Sequence, residues 1–427
     1  MSTQRELAFR RRPSAQSQAK EPELIRRHRP DYLLVVFMVF LMMLGLVVLY
    51  SINMALAQRY DNNFALKQAI FLGLGLSAFM FAARVPLRWF EKHASKLLLA
   101  GIITSLLLAA LGLIGSSLAN CNGGACRWYA IGGLSFQPAE LLKFGLMLYL
   151  AVFLSAKMRA GQLNNLRETL IPAGVVVGFL SFLVIGLQKD MGTGLVILAV
   201  AFGMLVMAGL KSSYMALTGA IIAAAGVLFV IIAPHRIARI LTFVGHDDAS
   251  DAANYHIQQA LIGIGSGGFL GKGLGQSIQA FGYLPEAAND SIFAIVAETF
   301  GFVGTVVILV AYAFLVYRLL VVLQHSERPE LKLIMAGIVC WIGSQAIINV
   351  AAMVGLIPLT GITLPFLSFG GTSLLFTMLL MGIAFNISHY TSFRPTSNKG
   401  DNNSEDSSGR RRVGRSRHPR AERYQRA

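Results

Sequence analysis

Charged residues are scarce in this chain. Asp, Glu, Lys and Arg make up 14% of its 427 residues, where soluble globular domains carry about 25%, and that shortfall excludes a one- or two-domain cytosolic enzyme. Segments of about ten residues with alternating hydrophobicity, the mark of a membrane β-barrel, are missing too, because the apolar runs are continuous. Proline is sparse, with 13 residues beside 42 Gly and 27 Phe, a balance that suits helices packed closely in lipid. No cleavable signal peptide is expected, since about thirty mostly polar residues precede a first apolar run that is already of spanning length. Only three cysteines occur. Cys340 lies inside an apolar run and reads as core packing. Cys121 and Cys126 flank Gly123 and Gly124 and fit either a bridged turn or two free thiols. No histidine pair has metal spacing, and His235, His246 and His256 read as loop residues.

What is present is a series of apolar stretches, each long enough to cross a bilayer at about 17–25 residues. They fall at Leu33–Ile52, Phe64–Ala83, Leu97–Leu118, Ala139–Ala156, Thr169–Leu187, Gly192–Gly209, Tyr214–Ile232, Ser291–Tyr317, Leu333–Val354 and Phe366–Ile387. The expected fold is therefore an all-α polytopic membrane protein of about ten transmembrane helices, with both termini on the same side. On this layout 29 of the 37 basic residues fall on the side of the termini, giving that side a net charge near +17 and the other near −1. By the positive-inside rule the termini are cytoplasmic.

Three regions follow: a basic tail over 1–30, a ten-helix domain over 31–390, and a second basic tail over 391–427. Both tails read as disordered, and their arginine runs, such as Arg10-Arg11-Arg12 and Arg410-Arg411-Arg412, fit anionic lipid on the cytoplasmic leaflet rather than nucleic acid. The segment Arg84–Lys96 fits either a short interfacial helix or a basic connector. The largest non-spanning stretch, 233–290, lies on the outer side between helices 7 and 8, and loops of that size usually carry function.

Two glycine motifs in that loop mislead. Gly263-Ile264-Gly265-Ser266-Gly267-Gly268 matches a dinucleotide fingerprint but lacks the required βαβ unit. Gly271-Lys272-Gly273 evokes a P-loop, yet Ser266 and Gly273 stand where that motif needs glycine and a hydroxyl residue. More informative are the ionisable groups at the outer ends of the spans, which are functional candidates by default. Glu140 and Lys143 stand three apart on one helical face and read as a self-neutralising structural pair. Gln188-Lys189-Asp190-Met191-Gly192-Thr193 is a polar hinge between two spans, with Lys189 and Asp190 as candidate binding residues. Arg127-Trp128 places a cation beside an aromatic, suited to a diphosphate and a sugar face. In Leu284-Pro285-Glu286-Ala287-Ala288-Asn289-Asp290-Ser291-Ile292-Phe293 two carboxylates close the outer loop. Partial desolvation of the second, against the apolar run, makes it the better general base.

Taken in order, Arg127-Trp128, Phe136-Gln137-Pro138-Ala139-Glu140-Leu141-Leu142-Lys143, Asp190-Met191-Gly192-Thr193, Gln258 to Gly275, Leu284-Pro285-Glu286 with Asp290, and Pro365-Phe366-Leu367-Ser368-Phe369-Gly370-Gly371-Thr372-Ser373 resemble the SEDS family (shape, elongation, division and sporulation) over about residues 30–390. Departures are Lys189 where the family usually has proline, Ala297-Glu298-Thr299 for a Gly-Glu-Glu run, and Ala288-Asn289 for His-Thr. The resemblance implies a peptidoglycan glycosyltransferase of the cytoplasmic (inner) membrane that polymerises lipid II on the outer face and releases undecaprenyl diphosphate. It places the catalytic base on Asp290.

Glu286, Arg127, Trp128, Lys189, Asp190 and Lys272 are the candidate substrate-binding residues, and Arg236 and Arg239 are further outer cations. No cofactor is firmly implied. A divalent cation, Mg or Mn, would suit the diphosphate, with Asp247 or Asp248 as ligands. The implied partners are lipid II, the undecaprenyl-linked glycan strand, a class B penicillin-binding protein transpeptidase and other divisome membrane proteins. The long basic extensions at both ends resemble division members, which points to the septum. A lipid II flippase and a non-catalytic division scaffold are the rival readings.

Overall fold

A computed structural model describes residues 29–56, 64–122, 125–131, 134–231 and 251–391. Both tails lie almost wholly outside the described residues, as do His235, Arg236, Arg239, His246, Asp247 and Asp248. The helices are α1 Tyr32–Leu56, α2 Phe64–Arg84, α3 Leu87–Leu113, α4 Pro138–Arg159, α5 Leu166–Leu187, α6 Met191–Ala208, α7 Ser212–Ile231, α8 Asp251–Ser266, α9 Ile292–Gln324, α10 Pro329–Met353 and α11 Gly371–Ser388. Among the described residues nine of them are long and apolar enough to cross a membrane, and α7 occupies the place of the remaining expected span. The protein is a mostly helical, multi-pass membrane protein. α8 lies within the expected 233–290 loop.

Local chemistry sets the helix ends. α4 begins with Pro138 after an extended Gln137, and Glu140 in its first turn and Lys157 and Arg159 in its last complement the helix dipole. Asp190 caps α6, which ends on Gly209 at φ 93°. α3 packs along α4, α2 along α11 and α6 along α10. Small residues permit the closest of these approaches: a Cβ on Gly101 would lie 2.7 Å from Leu142 Cα, and one on Gly145 would lie 2.6 Å from Leu98 Cα.

Ion pairs gather the connectors at one end of the bundle. Arg318 pairs with Asp31 at 2.5 Å, Arg328 with Glu91 at 3.3 Å, Lys157 with Glu168 at 3.1 Å, and Arg159 with Glu330. Among the described residues this end holds most of the Lys and Arg.

Two sequence expectations need correction. Arg84–Lys96 is neither an interfacial helix nor a connector, because from Leu87 onward it forms the first turns of α3. Leu87, Phe90, Ala94 and Leu98 are buried along one face and continue the apolar stripe, while Arg88, Lys92 and Lys96 are exposed. The last span begins at Gly371 rather than Phe366. Residues 365–370 instead form a buried turn, with Phe366 at φ 67° and the Tyr312 hydroxyl donating to the Pro365 carbonyl. The outer connection between α3 and α4 is not helical. It is an antiparallel meander of β1 Ala119–Asn122, β2 Ala125–Ile131 and β3 Leu134–Phe136, closed by a disulfide between Cys121 and Cys126. The Tyr129 hydroxyl ties the meander to α3 by donating to the Thr104 carbonyl at 2.6 Å, and burial pushes that phenol above its ordinary range.

Candidate active site on the outer face

Opposite the ion-paired end, three outer segments meet: 284–291 before α9, 359–370 before α11, and the α5–α6 hinge at 188–193. Asn349 on α10 joins the first two, donating from Nδ2 to the Asp290 carbonyl and to the Ile362 carbonyl, each at 2.7 Å. Phe369 N adds a bond to the Ala288 carbonyl at 2.8 Å. The hinge packs so closely on the second segment that a Cβ on Gly192 would lie 2.6 Å from the Thr360 carbonyl oxygen. Asp290 is 8% exposed, and a Cβ on Gly361 would sit 3.9 Å from its Oδ2. Beside it, His256 on α8 places Nε2 2.7 Å from Ser291 Oγ, so this histidine belongs to the site's surroundings.

The β meander completes the ring. Arg127 on β2 donates to the Gln188 carbonyl at 3.4 Å and the Lys189 carbonyl at 2.6 Å, and its guanidinium lies 6.0 Å from the Trp128 ring centre. Gln137, between β3 and α4, donates to Asp190 Oδ2 at 2.9 Å, while Thr193 donates to the same carboxylate from N at 3.0 Å and from Oγ1 at 2.8 Å. The Asp190 carboxylate is thus engaged as a helix cap and a brace, and it shapes the hinge from within the protein. Lys189 and Glu286 are both exposed and adopt φ 54° and 50°, a region costly for residues with a Cβ. Asn289 Nδ2 donates to the Glu286 carboxylate.

Glu140 and Lys143 lie just below this ring, 3% and 2% exposed. Lys143 Nζ is 2.9 Å from Glu140 Oε1 and 4.3 Å from the centre of the Trp341 ring.

Lys272 is held elsewhere than expected. Its ammonium contacts Glu298 Oε1 at 2.7 Å, a residue of α9 with no exposed surface. Glu298 also accepts from Ser277 Oγ at 2.5 Å, Ser266 Oγ at 3.3 Å, and the amides of Ile278 and Gln279, each at 3.1 Å. The glycine-rich run acts in the same assembly. α9 is broken at Gly301, with φ 65° and ψ −163°, which frees backbone groups that must be satisfied inside the membrane. Lys272 N and Gly273 N donate to the Glu298 and Thr299 carbonyls at 2.9 and 3.0 Å, and Phe302 N donates to Gly268 O at 2.9 Å. A Cβ on Gly271 would meet Gly301 N at 2.6 Å, so the motif serves close backbone pairing and not nucleotide binding.

Glu298→Gln should destabilise this region by about 3 kcal/mol, because Lys272 loses its counter-charge and five donors face one remaining carbonyl oxygen. Amide exchange over 267–281 should rise with α10 unaffected, and unchanged protection there would mean that Glu298 does not hold this loop in place.

Sequence reading noted Glu298 only as a departure from the family run, and passed over Asn349 and Gln345. The last two are buried polar residues four apart on an apolar span, which was the available signal. Among the described residues no group of three or more His, Cys, Asp or Glu is placed to hold a metal ion.

A model of the cell cycle protein family of FtsW, RodA and SpoVE matches residues 31–393. The chain belongs to this family, the SEDS proteins. Stage V sporulation protein E of Bacillus subtilis (strain 168) is 35% identical over 86% of this SEDS chain and 99% of its own length. A probable peptidoglycan glycosyltransferase FtsW of Coxiella burnetii is 33% identical, over 84% and 96%. Among solved structures, a chain of a peptidoglycan synthase complex that coordinates polymerization and crosslinking aligns with TM-score 0.65 at 28% identity, covering 84% of this chain and 97% of its own. The rod shape determining protein RodA of Thermus thermophilus aligns with TM-score 0.58 at 26% identity, covering 84% and 96%.

Proposed function

We propose that this SEDS protein is a peptidoglycan glycosyltransferase that polymerises lipid II at the outer face of the cytoplasmic membrane, with Asp290 as general base. Its membership of the family and the names of its relatives support the reaction. The observation that carries the site is a low-exposure carboxylate, fixed through its own backbone by Asn349 where three outer segments meet.

In this reading the 4-hydroxyl of an incoming lipid II attacks the anomeric carbon of the growing strand. Asp290 takes the hydroxyl proton, the new glycosidic bond forms, and the bond to undecaprenyl diphosphate breaks with the electron pair leaving on the diphosphate. Arg127 and Lys189 supply positive charge for that leaving group, with Trp128 against a sugar face and Glu286 at the exposed mouth. Asp190 and Lys272 act by holding the hinge and the outer loop in place. A divalent cation, Mg or Mn, would add positive charge at the diphosphate, and its candidate ligands Asp247 and Asp248 lie outside the described residues.

The protein works beside a class B penicillin-binding protein and other divisome membrane proteins at the division septum. The FtsW names among its relatives favour that setting.

Purified full-length protein supplied with fluorescent lipid II in vesicles should build glycan strands. Movement of labelled lipid across the vesicle without lengthening would replace the polymerase with a transporter. Depletion in cells should give filaments, and rounded cells would overturn the septal role.

A further inference from the structure

Away from the outer site, α5, α6 and α7 enclose an apolar groove of about 430 Å³, within the range of about 300–1,000 Å³ typical of built ligand sites. Its bed is a row of small residues on α5. Gly174 and Gly178, one turn apart, both line it, and a Cβ at either would meet nothing within 4 Å. Leu150 of α4, Ala201 of α6 and Leu217 of α7 contribute to its walls. The groove starts at Leu166, at the end of the bundle where the ion pairs gather. From there to Gly178 the helix rises about 18 Å, close to the ~15 Å of one leaflet's hydrocarbon.

The rim is basic and ordered. Arg167 follows Leu166 directly, and Asn165 caps this end of α5, accepting from Arg167 N at 3.1 Å. Lys211, at the entry to α7, donates its backbone N to Asn164 Oδ1 at 2.8 Å, which fixes the two rim segments to each other. Both side chains are exposed, and neither forms an ion pair among the described residues. Glu168, the acid beside them, is paired with Lys157.

We propose that this groove is a binding site for an anionic diacyl phospholipid of the cytoplasmic leaflet, one acyl chain lying along Gly174 and Gly178 and the phosphate met by Arg167 and Lys211. An apolar trough at leaflet depth takes a hydrocarbon chain, and two cations at its mouth select the headgroup. The assignment to the cytoplasmic leaflet follows from the distribution of Lys and Arg. Occupancy braces α5, whose opposite end is the hinge held by Arg127.

Native mass spectrometry of the full-length protein tests this with equimolar dioleoyl phosphatidylglycerol and dioleoyl phosphatidylcholine. Wild type should retain one phosphatidylglycerol in preference to phosphatidylcholine. Gly178→Leu, which fills the trough where the backbone has room for a side chain, should lower that retention about tenfold. The surface double variant Arg167→Gln/Lys211→Gln should remove the preference, at about fivefold for each cation lost. The site is overturned if Gly178→Leu retains as much phosphatidylglycerol as wild type, or if the double variant keeps the headgroup preference. It is also overturned if an equimolar polyisoprenyl phosphate displaces the phospholipid.

Discussion

Asp290→Asn is expected to yield a chain that inserts and folds as wild type but polymerises lipid II at least ~10²-fold more slowly, the lower end of what a positioned general base contributes. The fold should survive because Asn349 holds this segment through its backbone: Nδ2 donates to the Asp290 carbonyl, and the same donor holds the Ile362 carbonyl. An amide of the same size leaves both bonds intact and cannot accept a proton from the attacking hydroxyl. Asn349→Leu makes the complementary case. It deletes the bridge between the segments before α9 and α11 while leaving the carboxylate, so it should lower the rate together with protection of both segments from amide exchange. Strand formation is read on gels from reconstituted protein, with exchange as the check on folding. Glycan strands made by Asp290→Asn at the wild-type rate would remove this residue from the base role.

The spans were legible because a run of about twenty apolar residues has few alternatives in lipid. Their ends were less so. At α3 four basic residues made Arg84–Lys96 look like surface, although Leu87, Phe90, Ala94 and Leu98 kept the helical period running beneath them. Before α11 the opposite happened, since Phe366 and Leu367 are as apolar as any helix yet occupy a buried turn begun by Pro365, and hydropathy does not separate the two. The meander was missed because its strands, of four, seven and three residues, are too short to show a period.

At the site, a carboxylate standing before an apolar run stood out in one dimension. The cluster around Glu298 did not, because Lys272 and Ser277 reach Glu298 across 26 and 21 residues, a proximity that the fold creates. Asp190 and Lys272 were read as substrate-binding residues for the same reason: their partners, Gln137 and Glu298, are brought by the fold.

The buried pair on α4 carries the other large expectation. Lys143→Met should destabilise the protein by about 3–5 kcal/mol, the usual cost of leaving one member of a buried ion pair uncompensated. Methionine keeps most of the side-chain volume against Trp341, so the loss is electrostatic rather than a cavity. Glu140 would then lose its Lys143 contact at 2.9 Å while remaining 3% exposed. Glu140→Gln alone should cost less, since the ammonium retains the face of the Trp341 ring at 4.3 Å and a neutral amide tolerates burial. The double variant Glu140→Gln/Lys143→Met should recover most of the stability, because exchanging a buried pair for neutral groups of similar volume is often close to neutral. Thermal unfolding in detergent, arranged as a double-mutant cycle, gives the coupling directly. A single Lys143→Met variant as stable as wild type would remove the structural role from the pair. If instead stability returns in the double variant and polymerisation does not, the pair also supports the reaction, and Gln137, three residues before Glu140 and bonded to Asp190, is the path by which α4 holds the hinge.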